Sequence, residues 1–197
     1  MSIVIGLTGP TGSGKSSTAK VCRKYGIKTV DCDQTARKAT EKGSDGLLAL
    51  TKVFGQEILE QDGSLNRKLL AKKAFSAKEN TELLNKTLLP FIKELVLKEI
   101  KGNVVLLDAP TLFESGLNAI CFKTIAVISD RDIRLNRIIN RDNLTKEQAE
   151  IRMSAGKSDD FFKQNANYIV YNNSDEETFL SEFEKVLTEI LKLGEKL

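Results

Sequence analysis

Histidine is absent from the sequence, and its absence excludes a large class of chemistry. Without an imidazole, the chain has neither a histidine general base nor a histidine metal ligand. Any proton acceptor must be a carboxylate, or a cysteine, lysine or tyrosine with a shifted pKa. Cysteine is also scarce. Cys22, Cys32 and Cys121 are odd in number and show no CxxC spacing, so they are expected to be reduced thiols of a cytosolic protein.

Long apolar runs and blocks of one charge are also missing. No stretch approaches the roughly 20 apolar residues of a membrane span, and no basic segment precedes the first apolar run, which argues against a signal peptide. The net charge is +3, with Lys and Arg spread along the chain. Neither a membrane nor nucleic acid is therefore expected as a partner. We expect a cytoplasmic protein that acts on a small molecule, as a monomer or a weak homo-oligomer.

The hydrophobic residues that are present suit one compact core. The chain has 197 residues, 41% of them hydrophobic, which is enough for one domain or one core with inserted subdomains. Five short apolar runs lack the alternation of a half-exposed sheet, and they are residues 3–8, 27–31, 104–108, 124–128 and 168–171. Such runs, separated by helical patterns, are typical of a parallel sheet covered on both faces. The sequence therefore predicts a three-layer α/β fold with a five-stranded parallel sheet.

Helical patterns fill the segments between these runs. One helix is predicted from residue 15 to about 25, and a last one from 175 to about 193, with Gly194 as its stop. Only helical pattern occurs from about 34 to 102, which predicts a helical insertion between the second and third strands. A second helical stretch, about 131–164, should hold two helices joined near Asp142. Thr145 and Gln148 have the spacing of a capping box at the start of the second of these helices.

The segment from Gly9 to Ser16, Gly-Pro-Thr-Gly-Ser-Gly-Lys-Ser, follows the first strand and opens a helix. It fits the pattern GxxxxGK[ST], in which Gly9 and Gly14 let the backbone turn tightly and approach a phosphate. Backbone N–H groups at a helix N-terminus then bind the anion, Lys15 adds a mobile positive charge, and Ser16 offers a hydroxyl to Mg²⁺. The alternative, a glycine-rich turn with an incidental lysine, is disfavoured by the strand–loop–helix context.

Carboxylates follow two of the other strands. Asp108 ends its apolar run in the manner of an aspartate that holds Mg²⁺ at a phosphate site, although such an aspartate can also simply cap a loop. Asp31 and Asp33 end the second strand, and ligands of an open parallel sheet bind at the carboxyl ends of its strands. In an extended segment, one of these two is expected to face the γ-phosphate and the other to stabilise the loop.

Segments along nearly the whole chain match the pattern of one known family. Ile5-Gly6-Leu7-Thr8-Gly9 runs into Ser13-Gly14-Lys15-Ser16, and Asp31-Cys32-Asp33 is followed by Ala36-Arg37. The further matching segments are Phe54-Gly55, Asp62-Gly63-Ser64-Leu65-Asn66-Arg67, Pro110 with Leu112-Phe113-Glu114, and Arg137, Arg141-Asp142, Thr145 and Arg152. In this combination the chain resembles the dephospho-CoA kinases, the P-loop enzymes that complete coenzyme A synthesis.

The resemblance implies a P-loop NTPase fold in three parts. These are a core of about 1–33, 103–130 and 165–197, a helical CoA-binding insertion of about 34–102, and a lid of about 131–164. It also implies ATP-dependent phosphorylation of the ribose 3′-hydroxyl of dephospho-CoA, with Mg²⁺ as cofactor. Asp33 matches the family's proposed base, since a carboxylate can accept the hydroxyl proton as transfer proceeds. Lys15 and Arg141 would act with it by neutralising charge in the transition state.

The resemblance and the motif together give three groups of candidate site residues. The ATP-binding group is Thr11, Gly12, Ser13, Gly14, Lys15, Ser16, Ser17, Arg137 and Arg141. The substrate-binding group is Asp33, Arg37, Asp62, Arg67, Pro110, Leu112 and Glu114. Ser16 and Asp108, the latter through metal-bound water, form the Mg²⁺ group. Arg137 and Arg141 lie four residues apart on one helical face, where a solvated basic surface is the alternative to phosphate contact.

The chain also departs from the family pattern at several positions. Leu89 stands where the family usually has histidine before the proline, Gly156 where it has glutamine, and Phe162 and Asn167 where lysine and aspartate are common. These departures leave open a related P-loop kinase with a different nucleotide or nucleoside-like acceptor. A non-catalytic nucleotide-binding regulator is a further alternative, although the chain lacks the Asn-Lys-x-Asp segment with which a GTPase-like switch reads guanine.

Overall fold

A computed structural model describes residues 2–196, and its centre is a five-stranded parallel sheet. The strands are β1 (Ile3–Thr8), β2 (Lys28–Asp31), β3 (Val104–Asp108), β4 (Lys123–Ile128) and β5 (Tyr168–Tyr171). Their order across the sheet is β2-β3-β1-β4-β5. The five strands predicted from the apolar runs are confirmed, with the second starting one residue later and the fourth one residue earlier than expected.

Nine helices surround the sheet within the described part of the chain. They are α1 (Ala19–Lys24), α2 (Cys32–Ala39), α3 (Asp45–Phe54), α4 (Arg67–Ala74), α5 (Lys78–Glu99), α6 (Arg131–Asp142), α7 (Lys146–Ser154), α8 (Asp159–Asn165) and α9 (Glu176–Gly194). Of those spanning residues 2–196, none is long and apolar enough to cross a membrane.

Two apolar layers cover the sheet, one on each face. On one face Ile5 and Leu7 pack with Val21 of α1 and with Phe183 of α9. On the other face Val4, Val30, Val105 and Leu107 pack against α5, mainly through Ile92 and Val96. Neighbouring residues of a strand point to opposite faces, so strands buried on both faces must be apolar at every position. This requirement explains the continuous apolar runs and confirms the three-layer architecture.

The strand register brings acidic residues to the edge where the glycine-rich loop begins. Asp31 of β2 lies directly opposite Asp108 of β3, and Asp108 lies opposite Leu7 of β1. The chain leaves β1 after Thr8, so the loop starts beside these two carboxylates. The carboxyl edge of the sheet therefore gathers the loop and the acidic residues that the sequence singles out.

The region between β2 and β3 is helical, as predicted, and has a small core of its own. Leu50, Phe54, Ile58, Leu70 and Ala74 are buried together, away from the sheet. A short antiparallel bridge between Leu59 and Leu65 interrupts the helical pattern. The turn between these two residues contains Gly63 at a φ of 81°, a value that favours glycine.

Local signals placed some helix boundaries correctly and others wrongly. Thr145 and Gln148 form both hydrogen bonds of the predicted capping box at the start of α7. The helix predicted from residue 15 opens as a 3₁₀ turn, Lys15–Thr18, before α1. The stretch from 131 to 164 holds three helices instead of two, because Ser158 caps an additional one, α8. Asp33 is not in an extended segment but in the first turn of α2.

Gly194 was predicted as the stop of the last helix, and α9 does end there, but without the left-handed turn on which the prediction was based. Gly194 is itself the last residue of α9, which ends at Glu195 in right-handed helical conformation. A β-carbon at Gly194 would collide with the side chain of Ile3. The glycine therefore allows the end of α9 to approach the start of β1 closely, and it does not supply a left-handed turn.

The packing of α9 leads to a stability prediction. Phe183→Ala deletes a fully buried ring, so we expect the free energy of unfolding to fall by about 3–5 kcal/mol, measured by urea denaturation. Phe75→Ala is the matched control, because the same ring is deleted at a position that is 68% exposed, and the expected change is within about 0.5 kcal/mol. Equal losses in the two variants would contradict the layer assignment.

Candidate active site

The glycine-rich loop is held in a conformation that only glycine tolerates at key positions. Gly9 and Gly14 have φ values of 144° and 84°. A β-carbon on Gly9 would strike the carbonyl oxygen of Val127, and one on Gly14 would strike the side-chain amide of Asn172. Both glycines are therefore needed because the loop lies directly against the ends of β4 and β5.

One carbonyl group of this loop, that of Ser13, is bound from three directions. The Asn172 side chain donates to it at 2.8 Å, the Ser129 hydroxyl at 3.2 Å, and Arg137 Nη1 at 3.3 Å. The three donors also bind one another. Arg137 Nη1 donates to Ser129 Oγ at 3.0 Å, and the single proton of the Ser129 hydroxyl is shared between the Ser13 carbonyl and the Asn172 carbonyl, which lies nearer at 2.8 Å. We refer to Ser129, Arg137 and Asn172 as the carbonyl clamp.

The clamp determines where one N–H group of the loop points. In a trans peptide the C=O and N–H vectors are antiparallel. Because the Ser13 carbonyl is turned into the protein, the N–H of Gly14 in the same peptide is turned outwards, towards the cleft. Outward N–H groups in a tight loop form an anion-binding concavity.

Arg137 was predicted to contact ATP, and the structure shows that it also supports the loop. Its Nη1 donates to the Ser13 carbonyl and to the Ser129 hydroxyl. Its Nη2 donates to the carbonyl and side-chain oxygens of Asn172 at 3.3 and 3.2 Å. Both terminal nitrogens are thus engaged by protein oxygens. Arg137 therefore supports the loop, and it also lines the groove that contains Gly14, Ser16 and Ser17.

The loop forms one wall of a cleft of about 550 Å³, which we call the phosphate cleft. Most predicted site residues line it, namely Thr11, Gly12, Ser13, Gly14, Lys15, Ser16, Asp33, Asp108, Pro110, Glu114 and Arg141. Asp31, Arg152, Gly156, Lys157 and Phe162 line it as well. The cleft therefore combines backbone N–H groups, four basic side chains and four carboxylates.

Two carboxylates of the cleft have buried oxygens without a partner. Asp108 Oδ1 and Glu114 Oε2 are buried and accept no hydrogen bond from any residue in the described range 2–196. Burial raises the pKa of Asp108, Lys15 lowers it, and the charges of Asp31 and Asp33 raise it. Buried oxygens without donors are costly unless a ligand or cation satisfies them.

Asp33 belongs to a second cavity as well as to the phosphate cleft. This insertion cavity lies between α2, α4 and α5 and is lined by Asp33, Ala36, Arg37, Thr40, Leu65, Arg67, Leu70, Ala71, Phe75, Leu84 and Leu88. The predicted residues Arg37 and Arg67 are both here, and Arg67 Nη2 donates to the Thr40 hydroxyl at 3.2 Å. Burial and the charge of Asp31 raise the pKa of Asp33, whereas Lys15 and Arg37 lower it.

Asp31 has the stabilising role that was predicted for one of the two aspartates. Its side chain is the N-cap of α2 and accepts hydrogen bonds from the backbone and side-chain N–H groups of Gln34, both at 3.0 Å. This cap fixes the first turn of α2, which carries Asp33.

Ser17, predicted to bind ATP, lies in a groove on the other side of the loop with Arg137, Asn172 and Glu176.

Two predicted substrate residues are not brought to either cavity. Leu112 is fully buried in the core between β3 and α5, so it has no surface left for a substrate and that prediction is wrong. Asp62 lies at the exposed turn of the insertion, where it accepts hydrogen bonds from the backbone and hydroxyl of Ser64 at 2.9 and 2.7 Å. Its role in the structure is to close this turn.

Three basic and polar residues of the site were missed by the sequence reasoning. Ser129 and Asn172 follow β4 and β5 directly, so the rule that singled out Asp31 and Asp108 would have found them as well. Arg134 is buried in α6, and its Nη2 lies 3.1 Å from Asp159 of α8. No local signal indicates this ion pair, because its partners are distant in sequence.

The four departures from the family pattern fall in different environments. Leu89, which lies in α5, packs on the apolar layer between this helix and the sheet. Asn167 joins β5 to β4 by accepting from the backbone and hydroxyl of Thr124 at 2.9 and 3.2 Å. Gly156 and Phe162 line the phosphate cleft. Leu89 and Asn167 therefore lie outside the cavities, where they take part in packing and hydrogen bonding.

The cysteines play no part in the site chemistry. All three are free. Burial raises the pKa of Cys22 to about 11 and that of Cys32 and Cys121 to about 12. Protonated thiols are poor nucleophiles, which agrees with the predicted reduced state.

The class of protein follows from this arrangement. A parallel sheet carries, after its central strand, a glycine-rich loop that presents N–H groups, a lysine and a serine hydroxyl to a cleft with strand-end carboxylates. Such a site binds the phosphates of a nucleotide. The fold and the site together define a P-loop kinase.

Comparison with known proteins identifies the family. The family model described as CoaE, dephospho-CoA kinase, matches residues 3–177. A protein of Listeria innocua named dephospho-CoA kinase is 38% identical over 88% of this chain and 90% of its own. The chain belongs to the dephospho-CoA kinase family.

Solved structures agree with this assignment. A protein of Thermus thermophilus superposes with a TM-score of 0.79 at 29% identity, covering 95% of this chain and 97% of its own. A structure of dephospho-CoA kinase from Campylobacter jejuni has a TM-score of 0.67 at 25% identity and covers 98% of both chains.

The carbonyl clamp leads to a prediction for nucleotide binding. Asn172→Ala removes a buried donor to the Ser13 carbonyl and leaves Arg137 Nη2 without its acceptor side chain. Loss of a buried hydrogen bond costs about 1–3 kcal/mol, so we expect ATP to bind about tenfold or more weakly by titration calorimetry. Asn173→Ala is the matched control, since Asn173 is exposed and its side chain binds Asp130 instead of the loop. Equal affinity in the two variants would contradict the clamp.

Proposed function

We propose that the protein transfers the γ-phosphoryl group of ATP to the ribose 3′-hydroxyl of dephospho-CoA, giving coenzyme A and ADP, with Asp33 as the base. The observation that carries this proposal is the double position of Asp33. Its side chain lines both the phosphate cleft and the insertion cavity. A donor in the first and an acceptor in the second would meet at this carboxylate.

The phosphate cleft supplies what a phosphoryl donor needs. Lys15 and the outward N–H groups of the loop would bind the β- and γ-phosphates, and Arg141 would add a second positive charge. Phosphoryl transfer depends mainly on positioning and on neutralising the charge of the equatorial oxygens. The helices α6, α7 and α8, which carry the arginines, correspond to the lid in this proposal.

The residues of the cleft also fit a magnesium ion. Asp108 Oδ1 is a buried oxygen without a partner, and Ser16 offers a hydroxyl in the same cleft. Residues 2–196 contain no group of three or more acidic, cysteine or histidine side chains placed to form a complete metal cage. The two oxygen donors, from Asp108 and Ser16, suit Mg²⁺, which usually retains waters and binds with the nucleotide phosphates. Bound there, it would neutralise charge on the transferring group.

The insertion cavity matches the chemistry of the acceptor. Dephospho-CoA carries a diphosphate next to its ribose, followed by the long pantetheine arm. Arg37 and Arg67 would pair with the diphosphate. The apolar wall, which includes Leu65, Leu84 and the exposed ring of Phe75, would cover the arm. On this basis, the region between β2 and β3 is the CoA-binding insertion.

Asp33 has the environment of a proton acceptor. It is placed at the start of α2 by the Asp31 cap, and it lines the same cleft as Lys15. Its raised pKa makes it a better base than an exposed aspartate. As the 3′-oxygen attacks phosphorus, its proton would pass to this carboxylate and the bond to ADP would break.

An acceptor screen tests the proposed reaction. Purified protein with Mg-ATP should form ADP with dephospho-CoA, and neither with nucleoside monophosphates nor without an acceptor, as followed by a coupled assay. Mass spectrometry should find one added phosphate on dephospho-CoA. Turnover with water or a nucleoside monophosphate at an equal rate, and none with dephospho-CoA, would refute the assignment in favour of another acceptor.

Substitution of the base gives a sharper test of Asp33. Asp33→Asn should lower kcat by about 10²–10⁴-fold, because a positioned general base contributes on that order, while ATP still binds. Lys15→Ala should abolish turnover. Asp45→Asn, at an exposed position in the first turn of α3, is the matched control and should retain wild-type kcat. Full activity of Asp33→Asn would contradict the assigned role.

The pH dependence of kcat/KM should show the effect of the Asp31 charge on the pKa of Asp33. The carboxylate of Asp33 must be ionised to take the proton of the substrate hydroxyl. We therefore expect kcat/KM to fall as the pH falls through the raised pKa of Asp33. Asp31→Asn keeps an oxygen to cap α2 but removes the negative charge that helps to raise this pKa. The acid limb should therefore move to lower pH, and an unmoved limb would count against the assignment. The limb of Asp45→Asn should stay in place.

A further inference from the structure

A single carboxylate holds two arginines of the phosphate cleft. Asp142 Oδ1 accepts from Arg141 Nε at 2.9 Å, and its Oδ2 accepts from Arg141 Nη2 at 2.8 Å and from Arg152 Nη1 at 2.7 Å. Both arginines line the cleft, and Asp142 is not among the described residues that do so. The carboxylate therefore binds the guanidinium groups from behind.

The backbone brings these three residues together from two helices. Asp142 ends α6, and Asn143 follows with a φ of 51°, the left-handed conformation that turns the chain towards α7. Arg141 lies on α6 and Arg152 on α7. The tight turn places one acidic residue at the junction, within reach of a cation from each helix.

Electrostatics explains why a carboxylate is needed there. Two guanidinium groups that line one cleft repel each other, and their repulsion grows when water is excluded. A shared carboxylate offsets this repulsion and fixes the direction of both side chains. The two hydrogen bonds to Arg141 occupy one edge of its guanidinium, and Arg152 uses one nitrogen, so both retain N–H donors for phosphate oxygens.

We propose that Asp142 is a positioning residue that holds Arg141 and Arg152 as a pair of cations directed at the phosphates of the nucleotide. The proposal rests on the proposed function in one respect, the binding of ATP in the phosphate cleft. It extends that function by making Arg152 a second phosphate-binding arginine and by assigning the orientation of both to an acidic residue.

Asp142→Asn tests this proposal, since it keeps the shape of the side chain and removes its charge. We expect the Kd of Mg-ATP, measured by calorimetry without acceptor, to rise about tenfold, and kcat to fall while the KM for dephospho-CoA stays within about twofold. In the Arg152→Gln background the same substitution should weaken ATP binding much less, because one of its two targets is missing. A residue that merely stabilises the fold would not produce this coupling.

Glu150→Gln is the matched control for the loss of a tie between the two helices. Glu150 of α7 pairs with Arg131 of α6 at 3.2 Å, and the cleft lining within the described range includes neither residue. Glu150→Gln should leave ATP affinity unchanged, and the melting temperatures of the two variants should be similar.

Four results would overturn the proposal. Tighter ATP binding by Asp142→Asn would mean that the carboxylate competes with the phosphates for the arginines. An effect no larger than that of Glu150→Gln would mean that Asp142 only joins two helices, and undiminished loss in the Arg152→Gln background would exclude action through Arg152. If Asp142→Asn does not fold, Arg152→Gln alone decides, because unaltered ATP affinity at an unchanged melting temperature would refute the pairing. These binding measurements need no acceptor, so they are independent of the acceptor screen.

Discussion

The Ser13 carbonyl is the constraint on which the rest of the site depends. Its three donors come from the end of β4, the end of β5 and the middle of α6. A phosphate-binding loop needs its N–H groups free and outward, and a loop of small residues has no side-chain packing that would enforce this. Tying one carbonyl inwards turns the adjoining N–H outwards. Arg137 is a half-buried cation at this point, and its terminal nitrogens are satisfied by oxygens of Ser13, Ser129 and Asn172.

The strand order then separates positive from negative groups around the loop. β1 carries the loop at the centre of the sheet, with β4 and β5 on one side and β3 and β2 on the other. The clamp and the arginines of α6 belong to the first side, and Asp108, Asp31 and Asp33 to the second. Lys15 lies between them and lowers the pKa of both Asp33 and Asp108. A phosphate chain with a bound cation is complementary to such a field, since its anionic oxygens face the loop and its cation the carboxylates.

Local physics explains how much of this was predictable from sequence. The strands followed from apolar runs buried on both faces, and the α7 start followed from a capping box, because both signals lie within a few residues. The loop was recognised for the same reason. The strand order, the clamp and the pair Arg134–Asp159 depend on contacts between distant segments, so no local sequence pattern predicts them. The contact of Arg137 with the loop was missed because a basic residue on a helix face gives the same sequence pattern whether it faces a phosphate or a carbonyl group of the protein.

The conformation at Asp33 was predicted wrongly because the residues after the strand were treated as extended, whereas Leu112 was predicted from the family resemblance and not from a local pattern. The segment after β2 was taken as extended, yet Asp31 followed by Gln34 has the spacing of an N-cap, and the chain becomes helical at once. This matters for chemistry, because the helix aims Asp33 at both cavities. The departures from the family pattern can be weighed in the same spatial terms. Gly156 and Phe162 line the phosphate cleft, and the insertion cavity includes none of the four departures. Of these four positions, the two that reach a cavity lie on the side that would bind the nucleotide, so none of them gives a reason to expect a different acceptor.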